Sequence, residues 1–452
     1  MTALTELLPG DPRLERLVGQ THQRFQRLVE EAEIKARPYY RKVLGREASI
    51  QEVIAEIFTA VEREGDEAVA RYSRIFDGAT IAPERVRATP DELAAAWKAT
   101  PVAVRDAMST AITQVQAYQR RLLPRGFGEA LDEPLGVRWT ALDRVGAYMP
   151  GGTGGTLPLP SSVIMNLVPA KVAGVRQTVL ASPPRADGSI APELLAAAHA
   201  VGVDEVWRVG GIVAIAAMAC GTPALGKVDK IVGPGNIFVT LAKRFAYGRV
   251  DLDMLAGPSE VLVIADTSVD PAFVAADLLS QAEHDALATV VCLALDGAGT
   301  AIQSELARQL ATLPAERRET AADSLARFGT LVPCRDLDQA VELSNRFAPE
   351  HLELLVRDPK PLVSRLIHAG AIFVGPWSPE PIGDYVAGPS HTLPTGGTAR
   401  MWSGIGADTF LRRTSLINLG EAEFRALAPA GIALARAEGL EAHARSIEVR
   451  LR

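Results

Sequence analysis

From Val145 onward the chain alternates short β-rich runs with helical stretches, and this rhythm leaves few architectures open. The runs "VGAYM", "QTVLAS", "DEVWRVGG" and "DKIVGPGN" are interleaved with "SSVIMNLVPAKVAG", "ELLAAAHAVG" and "VAIAAMACG". Strands separated by helices of about ten or more residues are not hairpins; they build right-handed βαβ units and a parallel sheet. A second series starts after "AGPSE" with "VLVIAD", then a helix from Pro271, "TVVCLAL", a helix to Leu313 and "GTLVPC". It continues with a helix to Phe347, "LELLV", a short helix and "AIFVG". The expected fold is α/β, with two doubly wound, Rossmann-like parallel-sheet domains that divide near residues 255–260.

The flanks read differently. Residues 1–45 are polar and helical in pattern, an arm rather than a domain. "TPDELAAAW" opens a helix with Thr89 as N-cap and Glu92 as its capping-box partner. The tail from Asp408 returns to helix. The composition, 48% hydrophobic and 22% charged over 452 residues, is that of a soluble globular protein. A net charge of −7 with scattered cations argues against nucleic acid as a partner. No stretch approaches the roughly 20 apolar residues of a membrane span, and the start lacks a basic end followed by an apolar run. A cytoplasmic protein is expected. Cys220, Cys292 and Cys334 are an odd number, widely spaced and in apolar settings, and read as buried thiols in a reducing compartment.

Chemistry narrows to a few positions. Of the seven histidines, His22, His199 and His368 sit in a polar arm or apolar helices and read as solvated or packed. In "FAPEHLELL", Glu350 and His351 fall between a helix and a strand, at the type of edge where open α/β sheets place active sites. An acid beside an imidazole can divide general-acid and general-base roles. In "DLLSQAEHDAL", Gln281 interrupts an apolar helical stripe, and His284 at i+3 can aim at the same point, as a metal site requires. Further ligands could come from Asp384 and His391 or from Glu438 and His443; spacing alone does not choose among them. The glycine-rich "MPGGTGGTLPLPSS" and "GPGNIFV" suit close approach of phosphates, yet neither carries a dinucleotide or Walker fingerprint, and tight turns would read the same way.

Taken together, "GAYMPGG", "KVDKIVGPGN", "AGPSEVLVIAD", "DLLSQAEH", "FAPEHLE", "GDYVAGPSHTLPTGGTAR" and "EGLEAHARS" resemble the histidinol dehydrogenase family, in its order and from about Ile50 to the C-terminus. The resemblance implies two NAD-dependent oxidations of L-histidinol through an enzyme-held aldehyde, the last two steps of histidine biosynthesis, with one zinc per site. It implies Gln281, His284, Asp384 and His443 as zinc ligands, the last serving the partner's site in an intertwined homodimer. It implies Glu350 and His351 as the catalytic pair, and Ser259, His391 and Glu438, with the ligands and Glu350, as substrate contacts. Tyr148, Asn236 and the position of Val213 correspond to nucleotide contacts. The implied domains are an arm (1–45), a first α/β domain (46–140 with 259–400) carrying most zinc and catalytic residues, a nucleotide-binding domain (141–258) and a C-terminal helical dimerisation segment (401–452).

Two departures bear on the cofactor. The first glycine loop carries a few extra residues, and Ile212-Val213 replaces the family's Ala-Gln, so a hydrogen bond worth about 0.5–1.5 kcal/mol is missing. The alternatives are a paralogous dehydrogenase of another polar alcohol, such as a sulfonated diol, and a metal-stabilised protein without activity. The acid and base at Glu350 and His351 weigh against the second.

Overall fold

The computed structural model describes residues 4–19, 21–151 and 158–452; residues 152–157, the heart of the enlarged glycine loop, lie outside them. Two parallel sheets carry the architecture. The six-stranded sheet runs in the order Thr5–Glu6, Gly329–Pro333, Thr289–Ala294, Glu260–Ala265, His351–Leu355, Ala371–Val374. The five-stranded sheet runs Glu205–Arg208, Gln177–Ser182, Arg144–Tyr148, Lys230–Val232, Asp251–Leu252. Each reverses its direction of growth once, between Glu260–Ala265 and His351–Leu355 in the first and between Arg144–Tyr148 and Lys230–Val232 in the second. That reversal is the doubly wound signature expected from the sequence.

The strands of the larger sheet are covered on both faces, which is why they read as continuous apolar runs. Val261, Val263, Val290, Cys292 and Leu355 face helix Pro271–Ala282, whereas Leu262, Ile264, Val291, Leu352 and Leu354 face helix Leu337–Phe347. The N-terminal segment is more than a helical arm. Thr5–Glu6 pairs in parallel with Thr330 and Leu331, and Leu4, Leu7, Leu14 and Val18 are buried beside this sheet.

Residues 46–140, expected with the 259–400 sheet, pack elsewhere. The stripe Ile50, Val53, Ile54, Ile57 and Val61 of helix Ile50–Glu64 joins the core of the five-stranded sheet. It meets helix Gly211–Cys220, whose Ile212 to Ala219 are all buried and so need apolar cover on every side. Thr89 caps helix Pro90–Ala99 with Glu92 in the reciprocal box, as expected. All three cysteines are free; Cys292 and Cys334 are buried, but Cys220 is only partly so, beside Glu62 and Arg249.

Residues 123–142 and 411–452 form a second compact unit. Its tail is not wholly helical: Leu411–Ile417 is a strand pairing antiparallel with Leu135–Ala141, followed by helices Glu421–Ala437 and Glu441–Glu448. Among the described residues no helix is long and apolar enough to cross a membrane.

Candidate active site

The winding of the larger sheet decides where its functional side chains meet. In a right-handed βαβ unit the helix runs back against its strands, so its C-terminal end returns to the strands' amino edge. Helix Pro271–Ala282 starts with Asp270 capping Ala272 and Pro271 at its first position, and buries Val274, Ala275, Leu278 and Ala282. Its last turn brings Gln281 to the amino edge, where strand His351–Leu355 begins. Glu350 and His351 were expected at the edge where open sheets place their sites; they lie at the amino edge, opposite the carboxyl edge of that rule. The helix ends at Ala282, so His284 is not a helical i+3 partner but sits in the following turn, exposed, its N–H donating to Gln281 O at 3.2 Å.

Gln281 is 2% exposed, and among the described residues its Oε1 has no hydrogen-bond partner, an unusual state for a buried amide oxygen. Ala348, in the left-handed region at φ 53°, turns the chain from helix Leu337–Phe347 into Glu350 and His351, both buried. His351 Nδ1 donates to the Glu260 carbonyl at 3.0 Å, which fixes the tautomer and leaves Nε2 facing the Asp384 carboxylate at 3.7 Å. Glu350 Oε2 accepts the Glu260 N–H at 2.8 Å and lies 3.7 Å from His351 Nδ1. Burial pushes the Glu350 carboxyl up to about 8, the imidazole beside it pulling the other way. Burial pulls the His351 pKa down, but Glu350 and Asp384 outweigh it and raise it to about 10. At neutral pH both groups therefore hold their protons, a carboxylic acid beside an imidazolium, and acid–base work requires a change in their surroundings that releases one of them.

Asp384 sits on the short helix Glu380–Tyr385, and one ligand atom each from His351, Glu380 and Asp384 lies within 4.8 Å of the others. His391 Nδ1 donates to the Asp384 carbonyl at 3.0 Å, so its Nε2 accepts from Ser162 Oγ at 2.9 Å. Burial keeps that imidazole below its usual pKa, with His351 and His284 adding to the shift. Ser162 belongs to helix Pro160–Ala173 of the smaller sheet, so this bond joins the two sheets' edges.

Three of these groups were missed in the sequence. Glu380 was never singled out, nor were Glu353 and Asp277, although each interrupts a buried apolar run, in "HLELL" and "FVAADLLSQA". Ser259, half-buried, immediately precedes strand Glu260–Ala265 at the same edge. Glu438 and His443 belong to the second unit and are exposed there.

The smaller sheet uses its carboxyl edge. Tyr148 ends its strand, and its buried hydroxyl accepts the Gly211 N–H at 3.3 Å. The backbone N–H of Gly210 donates to Asp77, and a Cβ at Gly210 would stand 2.7 Å from Asp77 Oδ1, so glycine is required for this approach. Burial raises Asp77 to about 7. Asn236 is exposed and caps helix Ile237–Ala246, its Oδ1 accepting from Phe238 and Val239 N–H. The loop before it is held by the buried Lys243, which donates to Gly233 O at 3.1 Å and pairs with Asp253, while Asp253 accepts from Gly233 N–H at 2.8 Å. Val213 is 1% exposed and packs in the core.

The family model for histidinol dehydrogenase matches residues 41–451. The chain is 51% identical over 427 residues to the histidinol dehydrogenase of Moorella thermoacetica, covering 94% of this chain and 99% of that protein. It is 48% identical to that of Synechococcus sp. over 450 residues, 99% of this chain and 98% of the other. The crystal structure of histidinol dehydrogenase from Elizabethkingia anophelis superposes with a TM-score of 0.88 at 32% identity, over 99% of this chain and 98% of that one. With the parallel-sheet fold and the Glu350–His351 pair already in place, these likenesses show that the chain belongs to the histidinol dehydrogenase family of oxidoreductases.

Proposed function

We propose that the chain oxidises L-histidinol to L-histidine through L-histidinaldehyde in two NAD-dependent steps, with one zinc per site, in the cytoplasm. The observation that carries this reading is the buried Glu350–His351 pair, with its tautomer fixed by Glu260 O and its free nitrogen turned to Asp384. By kind the donors suit zinc, since the orphaned Gln281 Oε1, the Asp384 carboxylate and the His284 imidazole are oxygen and nitrogen ligands such an ion takes, and Asp384 already stands with His351 and Glu380 in one cluster of donor atoms. His443 of a partner subunit would complete the set. When bound, zinc orients and polarises the amino alcohol and NAD accepts hydride.

The chain's own groups move the protons. His351 Nε2 takes the proton of the substrate hydroxyl, since Nδ1 is committed to Glu260 O. With Asp384 engaged as a ligand, one of the three carboxylates that hold His351 protonated, Glu350, Asp384 and Glu380, is withdrawn, which brings its pKa towards the range of a working base. Glu350, its pKa raised by burial, accepts a proton from the water that adds to the aldehyde. Ser259, His391 and Glu438 contact substrate. His391 must first exchange Ser162 for substrate at Nε2. Tyr148 and Asn236 hold the nucleotide at the carboxyl edge of the smaller sheet, while Val213 contributes packing rather than a hydrogen bond.

Two features of the second unit support a homodimer with shared sites: its helices carry Glu438 and His443 on the surface, and Leu427, Leu434 and Leu440 are exposed. The test is steady-state NADH formation on the zinc-loaded protein with L-histidinol as sole alcohol. Two NADH per histidinol are expected; no turnover with histidinol but turnover of another polar alcohol ends this reading.

A further inference from the structure

Beneath the site lies a buried carboxyl cluster that touches neither substrate nor metal in the reading above. On strand His351–Leu355 side chains alternate between faces, so His351, Glu353 and Leu355 share the face that meets helix Pro271–Ala282. Glu353 is 1% exposed. Its Oε1 accepts the Glu380 backbone N–H at 2.6 Å, at the start of the short helix that carries Asp384. Among the described residues its buried Oε2 has no hydrogen-bond partner, and burial first, then the nearby and likewise buried Asp277 carboxyl, raises the Glu353 pKa. Two carboxyls bond only through a shared proton, and an Oε2–H on Glu353 turned to Asp277 is the arrangement that lets both stay buried. Asp277 stands one helical turn before Gln281. A second tie runs in parallel, Ser280 Oγ lying 3.0 Å from Glu380 Oε2 and 2.8 Å from the Asp277 carbonyl, so that its one proton is divided between the two acceptors.

Resting on the reading that Gln281 and Asp384 are ligands, we propose that Glu353 is a positioning residue that sets the spacing of those two ligands. It does so by latching the helix bearing Asp384 to the helix bearing Gln281 through Asp277, with Ser280 as the auxiliary tie. The latch works as a neutral hydrogen-bonding bridge, not as a charge. An amide can therefore replace it, since glutamine presents an oxygen to the Glu380 N–H and an N–H to Asp277.

The experiment measures zinc dissociation constants by chelator competition on full-length wild type, Glu353→Gln, Glu353→Leu and Ser280→Ala, each with its thermal transition recorded. Wild type without a tight zinc site would overturn the ligand reading itself, independently of the latch. Given a wild-type site, Glu353→Leu is expected to weaken zinc about 10-fold or more, as supporting partners of metal ligands typically do. Glu353→Gln is expected to stay within about threefold of wild type. Wild-type affinity in Glu353→Leu, or equal losses in the Leu and Gln variants, overturns the latch. If Glu353→Leu does not fold, Ser280→Ala decides: severalfold weaker zinc at an unchanged transition temperature supports the latch, and wild-type affinity overturns it.

Discussion

The two parallel sheets follow one winding rule yet use opposite edges. In the five-stranded sheet Tyr148, Gly210, Gly233 and Asn236 gather where strands end, and the site is built from backbone amides and glycines held by Asp77, Tyr148 and Asp253. In the six-stranded sheet Glu260, Glu350 and His351 gather where strands begin, and titratable side chains meet one another there. Strand ends followed by helix N-termini offer N–H groups and positive dipole ends, which suit phosphates. Strand beginnings receive helix C-termini, which offer no such donors, and there the proposed chemistry falls to carboxylates, imidazoles and a cation. The division of labour follows from backbone polarity.

If that division holds, lesions at the amino edge lower turnover, and lesions at the carboxyl edge weaken nucleotide binding. The largest effect is expected from His351→Asn: kcat for histidinol should drop about 10²–10⁴-fold with zinc content kept, and unchanged turnover would remove His351 from the chemistry. Next, Lys243→Met strands Asp253 in the core beside the Gly233 loop and should cost about 3–5 kcal/mol in urea unfolding, with KM for NAD rising more than KM for histidinol. An equal rise in both would blur the comparison. Gln281→Ala should lower zinc affinity about tenfold or more in chelator titration; undiminished zinc would return Gln281 to a buried amide without a ligand role.

The smallest effect concerns Asp77. Its folded pKa, raised by burial to about 7 from 3.8, means the native state holds the proton more tightly than the unfolded chain. The stability from this group is complete below about pH 4 and lost as pH rises to about 7. Asp77→Asn should flatten that decline by roughly 1–2 kcal/mol in unfolding midpoints compared at pH 5 and 8. An unaltered slope would show that Asp77 is not buried neutral against the Gly210 turn.

Strand and helix periods made both sheets legible, because buried parallel strands leave continuous apolar runs whatever their order. The packing partner of helix Ile50–Glu64 was not legible: its stripe would fit any apolar layer, and only the all-round apolarity of residues 212–219 hinted at the need for cover. Gln281 was visible as a polar break in a stripe. Glu353 and Asp277 broke apolar runs in the same way and passed unnoticed, since an acid inside a strand or helix looks like a solvated face until burial is known. The strand Leu411–Ile417 was hidden by its charges, "LRRTSLI", which suit a half-exposed ribbon as well as a helix. Which edge the catalytic pair would occupy depended on where strand His351–Leu355 starts, a boundary that composition marks poorly.

The pairing of Thr5–Glu6 with Thr330–Leu331 also bears on how the chain survives its own synthesis. Strand Gly329–Pro333 would otherwise be the outermost strand of a parallel sheet, an open ladder of unpaired N–H and C=O groups along a β-prone run. The covering segment precedes its partner in the chain, so it is already made when strand Gly329–Pro333 is synthesised. Removing Thr5–Glu6 would expose that edge and be felt first as aggregation during folding, before any change at Glu350 and His351.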